Sequence, residues 1–175
     1  MGNRPGKPID LKKSMLEVWA VNEAMNRLLL RHIDERAWRA EPPGGGRTIA
    51  AIFSHIHNDR LMWMTVWAKG RRRPAHTSRH TITRKQAARA LERSAEALAK
   101  LFAGEEDKQG RGKPFRPDVV ACLGLLLVHD AHHRGQVCLL ARQVGYPLRG
   151  EGAYGIWQWG KLWKSLGISR RWPMP

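Results

Sequence analysis

The chain has 175 residues and a mass of 19.9 kDa, with 42% hydrophobic and 26% charged residues, which fits one soluble globular domain and argues against a disordered chain. Lys and Arg total 31 against 15 Asp and Glu, a formal net charge of +16, so charge alone attracts polyanions. The longest uncharged apolar run, residues 119–128, falls short of the ~18 residues of a membrane span, residues 1–13 lack a signal-peptide core, and two cysteines are too few for a disulfide framework, so a cytoplasmic protein is expected.

Residues 1–9 hold two Pro and two Gly and read as a flexible leader, with a single domain over residues 10–175. From residue 10 to about 33, Met15, Val18, Trp19, Met25, Leu28 and Leu29 fall at helical spacing, with Asn22 as an exception on that face. The run Glu41-Pro42-Pro43-Gly44-Gly45-Gly46 stops this helix. Thr48 is placed to cap a second helix, in which Ile49, Ile52, Phe53, Ile56, Trp63 and Trp67 recur every three to four residues. A basic loop over residues 70–83 precedes a third helix to about residue 102, with Ala87, Leu91, Ala95, Leu98 and Phe102 inward. Residues 104–117 read as a polar turn region. A fourth helix spans residues 118 to about 144, ended by Gly145 and Pro147. The tail, with Trp157, Trp159 and Trp163, reads as a short helical cap. No segment alternates with period two over five or more residues. The fold class is all-α, a four-helix bundle whose long connections leave crossover topology open.

Eight histidines are the main chemical signal. On the fourth helix His129 and His133 fall one turn apart within the apolar stripe, so their imidazoles are separated by only ~6 Å of helix rise and can converge on one Zn²⁺-like ion. Otherwise each buried ring needs its own hydrogen-bond partner. His132 falls toward the edge of the stripe. On the second helix, His55 and His57 stand equally far from the centre of the apolar face, and periodicity does not choose between them. His32, His76 and His80 have no motif around them, and the latter two belong to the basic loop. Cys122 points inward but lies two turns before His129, and Cys138 points away.

The run Val128-His129-Asp130-Ala131-His132-His133-Arg134-Gly135-Gln136-Val137 resembles the fourth-helix motif H-x-x-x-H-x-G-Q of the DinB/YfiT-like family. The run Thr48-Ile49-Ala50-Ala51-Ile52-Phe53-Ser54-His55-Ile56 resembles that family's second-helix motif, in the same order and at a matching separation. The resemblance extends over most of residues 14–166. It implies a four-helix bundle, usually dimeric, in which three histidines hold one divalent metal, Zn or Ni; carried over residue by residue, the ligands are His55, His129 and His133. Three imidazoles leave a position for water, as catalytic sites do. No H-E-x-x-H pattern supplies a base. Asp59, one turn beyond His55, is a candidate catalytic residue as ligand, second acceptor or general base, with an ion pair to Arg60 as the alternative. Gln136 is placed to orient the site by hydrogen bonding. Gly135 either admits a close neighbour or is a tolerated helix glycine, and Arg134 is placed toward solvent or another helix.

The implied activity is metal-dependent, either hydrolysis or transfer of a low-molecular-weight thiol to a small-molecule electrophile. The competing reading is a non-catalytic dimeric bundle that uses metal for stability and binds nucleic acid nonspecifically. Residues 69–93 carry nine Lys/Arg and one acid, Glu92, half of the net charge. That segment holds no aromatic residue for base stacking and no recognisable nucleic-acid-binding motif, so a solvated basic face is its simpler role. The tail tryptophans are expected in core packing, at the mouth of the site or in a dimer interface.

Overall fold

The computed structural model describes residues 9–68, 72–104 and 118–168. The expected leader, up to residue 8, and nearly all of the polar 104–117 segment lie outside the described residues.

Four long helices form where the spacing predicts them: α1 (Leu11–His32), α2 (Ile49–Trp67), α3 (Arg84–Phe102) and α4 (Val119–Gln143). Each begins on a side chain that accepts an otherwise orphaned backbone N–H. Asp10 accepts from Lys13 at 2.9 Å, Thr48 from Ala51 at 3.2 Å and Asp118 from Ala121 at 2.8 Å. At α3, Thr83 and Gln86 exchange bonds as a capping box. The end of α4 is set by Gly145, whose φ of +87° lets Tyr146 N–H reach back to Ala141 C=O at 2.8 Å. The chain then forms α5 (Glu151–Tyr154), a 3₁₀ turn (Gly155–Trp157) and α6 (Trp159–Ser165), all packed on α1. The approach is close enough that a Cβ on Gly152 would stand 2.6 Å from His32 Cβ. No strand occurs among the described residues, and no helix is long and apolar enough to cross a membrane.

Both α1 and α2 pack on α3 and on α4. Two apolar cores result. One gathers Leu29 of α1 with Ile33 just beyond its end, Ile49 to Ile56 of α2, Ala87 and Leu91 of α3, and Val137 and Leu140 of α4. The other gathers Met15 and Trp19, Leu61 to Trp67, Leu98 to Phe102, and Cys122 to Leu126. The first core therefore holds the C-terminal halves of α1 and α4 with the N-terminal halves of α2 and α3. A same-direction pair such as α2 and α3 needs a long return, and residues 72–83 supply it. They run back along α2: Arg73 bonds Thr65 Oγ1, Ala75 C=O meets His57 Nε2 at 2.9 Å, and Thr77 bonds Asn58 and Ser54.

Between the two cores lies a buried polar layer. Arg60 of α2 is 0% exposed. It donates to Glu23 of α1 at 3.0 Å, to Asp130 of α4 at 2.6 Å, and to Leu91 C=O and Ser94 Oγ of α3 at 3.3 Å. Its guanidinium also sits over the Trp19 ring, 4.8 Å from the centroid. Asn22 and Asn26 donate to Asp130 Oδ2 at 2.7 and 2.9 Å, while Arg134 donates to both Asn Oδ1 atoms at 2.7 and 2.8 Å. Asn22 on the apolar face is thereby explained, and Arg134 takes the helix-facing of its two expected roles, buried against α1. Burial pushes both carboxyls up. At Asp130 the Arg60 charge and several hydrogen bonds overrule it and hold the group below its ordinary value, whereas at Glu23 burial wins and the group is raised.

Arg60→Met leaves two buried carboxylates without their shared cation. It is expected to cost about 3–5 kcal/mol in urea unfolding, whereas Leu139→Ala, at a position 56% exposed on α4, stays within ~0.5 kcal/mol.

Candidate metal centre

The polar layer reaches the surface between α2 and α4, and there His55, His129 and His133 meet. Their ligating nitrogens all lie within 4.8 Å of one another. His129 Nε2 is 3.3 Å from His55 Nε2 and 3.1 Å from His133 Nε2. Helical geometry accounts for it: His129 and His133 are one turn apart on α4, and α2 packs alongside with His55 on the adjoining edge. His133 is buried, while His55 and His129 are half-buried, so the cluster sits at a rim and not in a sealed core.

The side chains behind the rings decide which nitrogens face inward. Nδ1–H of His133 donates to Gln136 Oε1 at 2.7 Å, which leaves its Nε2 a lone pair aimed at the other rings. Lone pairs of His133 and His129 at 3.1 Å repel unless a proton or a cation lies between them. Nitrogens bound tetrahedrally to one Zn²⁺ at ~2.0–2.1 Å lie about 3.3 Å apart, close to the separations found. The protonation balance agrees. Burial, then the Arg47 charge and the two neighbouring imidazoles, lower His55 to about 4. Burial also lowers His133, against the pull of its bond to Gln136. Both rings are thus neutral near pH 7, the form that binds metal. The residues present fit a divalent ion.

Asp59 lies beside the trio and not on Arg60, whose bonds go to Glu23, Asp130 and α3. Asp59 Oδ2 is 3.5 Å from His129 Nε2 and is buried without a hydrogen-bond partner, so an acceptor is held beside His129 at the edge of the cluster. His57, left open by periodicity, is buried on another side of α2 against Ala75 C=O. His132 is exposed, as are His76 and His80. Cys122 is core and Cys138 half-buried. A Cβ on Gly135 would meet nothing within 4 Å, so it is a tolerated helix glycine and not a point of close approach. The tail tryptophans do not border the three rings: Trp159 and Trp163 pack with Leu162 on Val21 and Met25 of α1, and Trp157 is exposed.

Sequence reasoning did not find Asp130 as a neighbour of the site. Its Oδ1 is 3.6 Å from His129 Nδ1. The signal was present in the His-Asp dipeptide itself, but a charge beside a histidine on a helix usually points to solvent.

Comparison with curated proteins and with solved structures found no significant match. The family model described as the DinB family matches residues 8–150, a span that contains all four helices of the bundle, the three-histidine cluster, Asp59 and Gln136. With that match over most of its length, and with the helical bundle and histidine cluster in place, the chain belongs to the DinB family.

Proposed function

We propose that the protein is a metal-dependent enzyme in which His55, His129 and His133 hold one divalent ion, Zn or Ni, and a small-molecule electrophile is attacked by water or by a low-molecular-weight thiol. The observation that carries this reading is the convergence of three imidazole nitrogens beside a buried, unpartnered carboxylate oxygen. A bound ion at this position supplies one thing, a lowered pKa for the nucleophile. The chain's own residues do the rest. Gln136 holds the proton of His133 on Nδ1 and keeps Nε2 free. Asp59 Oδ2 accepts the proton that the nucleophile gives up, from a position 3.5 Å from His129 Nε2. The half-buried rim admits a small substrate on the α2–α4 side, while the tail stays on α1.

The purified chain should carry about one equivalent of divalent ion by elemental analysis. His55→Ala and His133→Ala should each abolish that occupancy at micromolar metal, and His132→Ala, one residue away but exposed, should leave it unchanged. Retained stoichiometry in His55→Ala and His133→Ala would rule out this ligand set. Turnover of an electrophile with and without added thiol then separates transferase from hydrolase.

Dimerisation is part of the same reading. The outer faces of α2 and α4 expose Met62, Val66, Leu125 and Val128 beside the cluster, an apolar strip that a second copy would cover. Sedimentation at micromolar concentration should give about 40 kDa, twice the 19.9 kDa chain, and Val66→Glu with Val128→Glu should return it to about 20 kDa.

A second, weaker activity rests on residues 72–93. Arg72, Arg79, Arg89 and Arg93 are exposed there, and a cavity of about 340 Å³ is lined by His76, Arg89 and Arg93 among others. This face gives nonspecific polyanion affinity. Replacing Arg72, Arg79 and Arg93 by Gln should lower the slope of log K against log salt for DNA by about three at most, with metal content unchanged.

A further inference from the structure

The strap over residues 72–83 and the first three turns of α3 enclose the cavity of about 340 Å³, which the metal centre does not use. Its polar lining includes His76, Ser78 and Thr81 of the strap and Gln86, Arg89 and Arg93 of α3, and no Asp or Glu lines it among the described residues. Arg89 and Arg93 stand one turn apart, about 6 Å along the helix. Neither makes a hydrogen bond or ion pair among the described residues. Glu92, the acid beside Arg93 in sequence, lies 4.0 Å from Arg27 of α1 instead. Like charges at this spacing repel and weaken a helix unless an anion answers both.

The hydrogen bonds of the strap give the cavity one sign. Ala75 C=O accepts from His57 Nε2 and Thr77 C=O from Asn58 Nδ2, each at 2.9 Å, so both carbonyls are turned toward α2. Ser78 C=O accepts from Ile82 N–H at 3.1 Å. His80 C=O and Ile82 C=O are taken by Arg39, the latter also by Trp38 Nε1 at 3.2 Å. These backbone acceptors are occupied, and the same bonds pin the wall in place before any ligand arrives. The donors are not occupied. Ser78 Oγ accepts from His80 N–H, and Gln86 Oε1 accepts from Thr83 N–H, which leaves the hydroxyl hydrogen and the amide NH₂ to donate.

We propose that this cavity binds a small phosphate monoester, its phosphate held by Arg89, Arg93, Gln86 and the Ser78 hydroxyl. A carboxylate has two oxygens and is met by one guanidinium fork, whereas a phosphate presents three; here two forks and neutral donors converge from two elements. The volume falls at the lower end of ligand pockets, about 300–1,000 Å³, and exceeds that of a phosphate group alone. Pro74, Ala75 and Ala90 give it an apolar wall for the organic part. The site is independent of the metal reading. It goes beyond the nonspecific polyanion affinity of the same face, because Arg72 and Arg79 belong to that face and do not line the cavity.

The test is NMR titration of the full-length chain with inorganic phosphate, phenyl phosphate and acetate at constant ionic strength. Both phosphates should saturate with a Kd below about 1 mM, shift amides within residues 75–82 and 86–93, and bind more tightly than acetate. Arg89→Gln with Arg93→Gln should weaken phenyl phosphate at least about 10-fold. Arg72→Gln with Arg79→Gln removes two charges from the same face; it should lower DNA affinity and leave the phenyl phosphate Kd within about twofold. All four arginines are exposed, so both pairs should fold as the parent does. Equal weakening by the two pairs overturns the proposal, and so does an absence of saturation. Acetate that binds as tightly as phosphate, inorganic phosphate that binds where phenyl phosphate does not, or shifts centred on residues 55, 129 and 133 also overturn it. A chain that binds no DNA overturns the polyanion reading instead, and the phosphate titration still judges this one.

Discussion

A fully buried guanidinium constrains this molecule more than any other group. Arg60 has lost its water, and a cation in that position is tolerated only if the protein answers it from every side. Each of the other three helices answers: α1 with Glu23 and the Trp19 ring, α3 with Leu91 C=O and Ser94, α4 with Asp130. A helix that slid by one turn would carry its partner about 5.4 Å away and leave a charge or a carboxylate unanswered. Apolar contacts cannot impose that register as sharply, because a leucine displaced by one turn still meets other leucines. The two apolar cores on either side supply most of the burial, and the polar layer between them fixes how the helices are aligned.

The histidine cluster inherits this alignment. His129 precedes Asp130 and His133 precedes Arg134, so two candidate ligands are each one residue from a side chain anchored in the layer. His55 stands one residue beyond Ser54, which bonds Thr77, and five before Arg60 on the same helix. Once Arg60 and Asp130 are bonded, the relative height of α2 and α4 is set, and with it the distance between His55 and the α4 pair. Fixing the rings this way suits ion binding, where ligand positions must hold to a few tenths of an ångström.

Much of this was legible in the sequence, for reasons that differ between elements. The four helices were readable because Asp10, Thr48, Thr83 and Asp118 carry local capping information and because apolar spacing is a short-range pattern. The His129–His133 pair was readable for the same reason, both rings lying on one helix. The choice of His55 over His57 was not, since the two stand symmetrically about the apolar face; only the family motif separated them, and the structure places His55 in the cluster. The polar layer was invisible. Asn22 meets Asp130, and Arg60 meets Glu23, across separations of 108 and 37 residues, and periodicity assigns charged residues to solvent by default. The roles of Arg134 and Asp59 were left open on that account.

The layout of α2 also explains how a strongly basic chain keeps most of its arginines apart from the three-histidine cluster. Successive residues on this helix face different neighbours: Ser54, His57 and Asn58 bond the return strap, Arg60 enters the polar layer, and His55 and Asp59 face α4. The strap must run back along α2 because α2 and α3 point the same way, and its bonds to Thr65, His57 and Ser54 keep it on the face away from α4. The arginines that follow it onto α3 are thereby placed across the helix from the three imidazoles. Bulk solvent and a Debye length of about 8 Å screen exposed charges separated by the width of a helix, so the basic face adds little positive potential at the three imidazoles. Arg47 is the exception, since its charge reaches His55. It favours the neutral ring there.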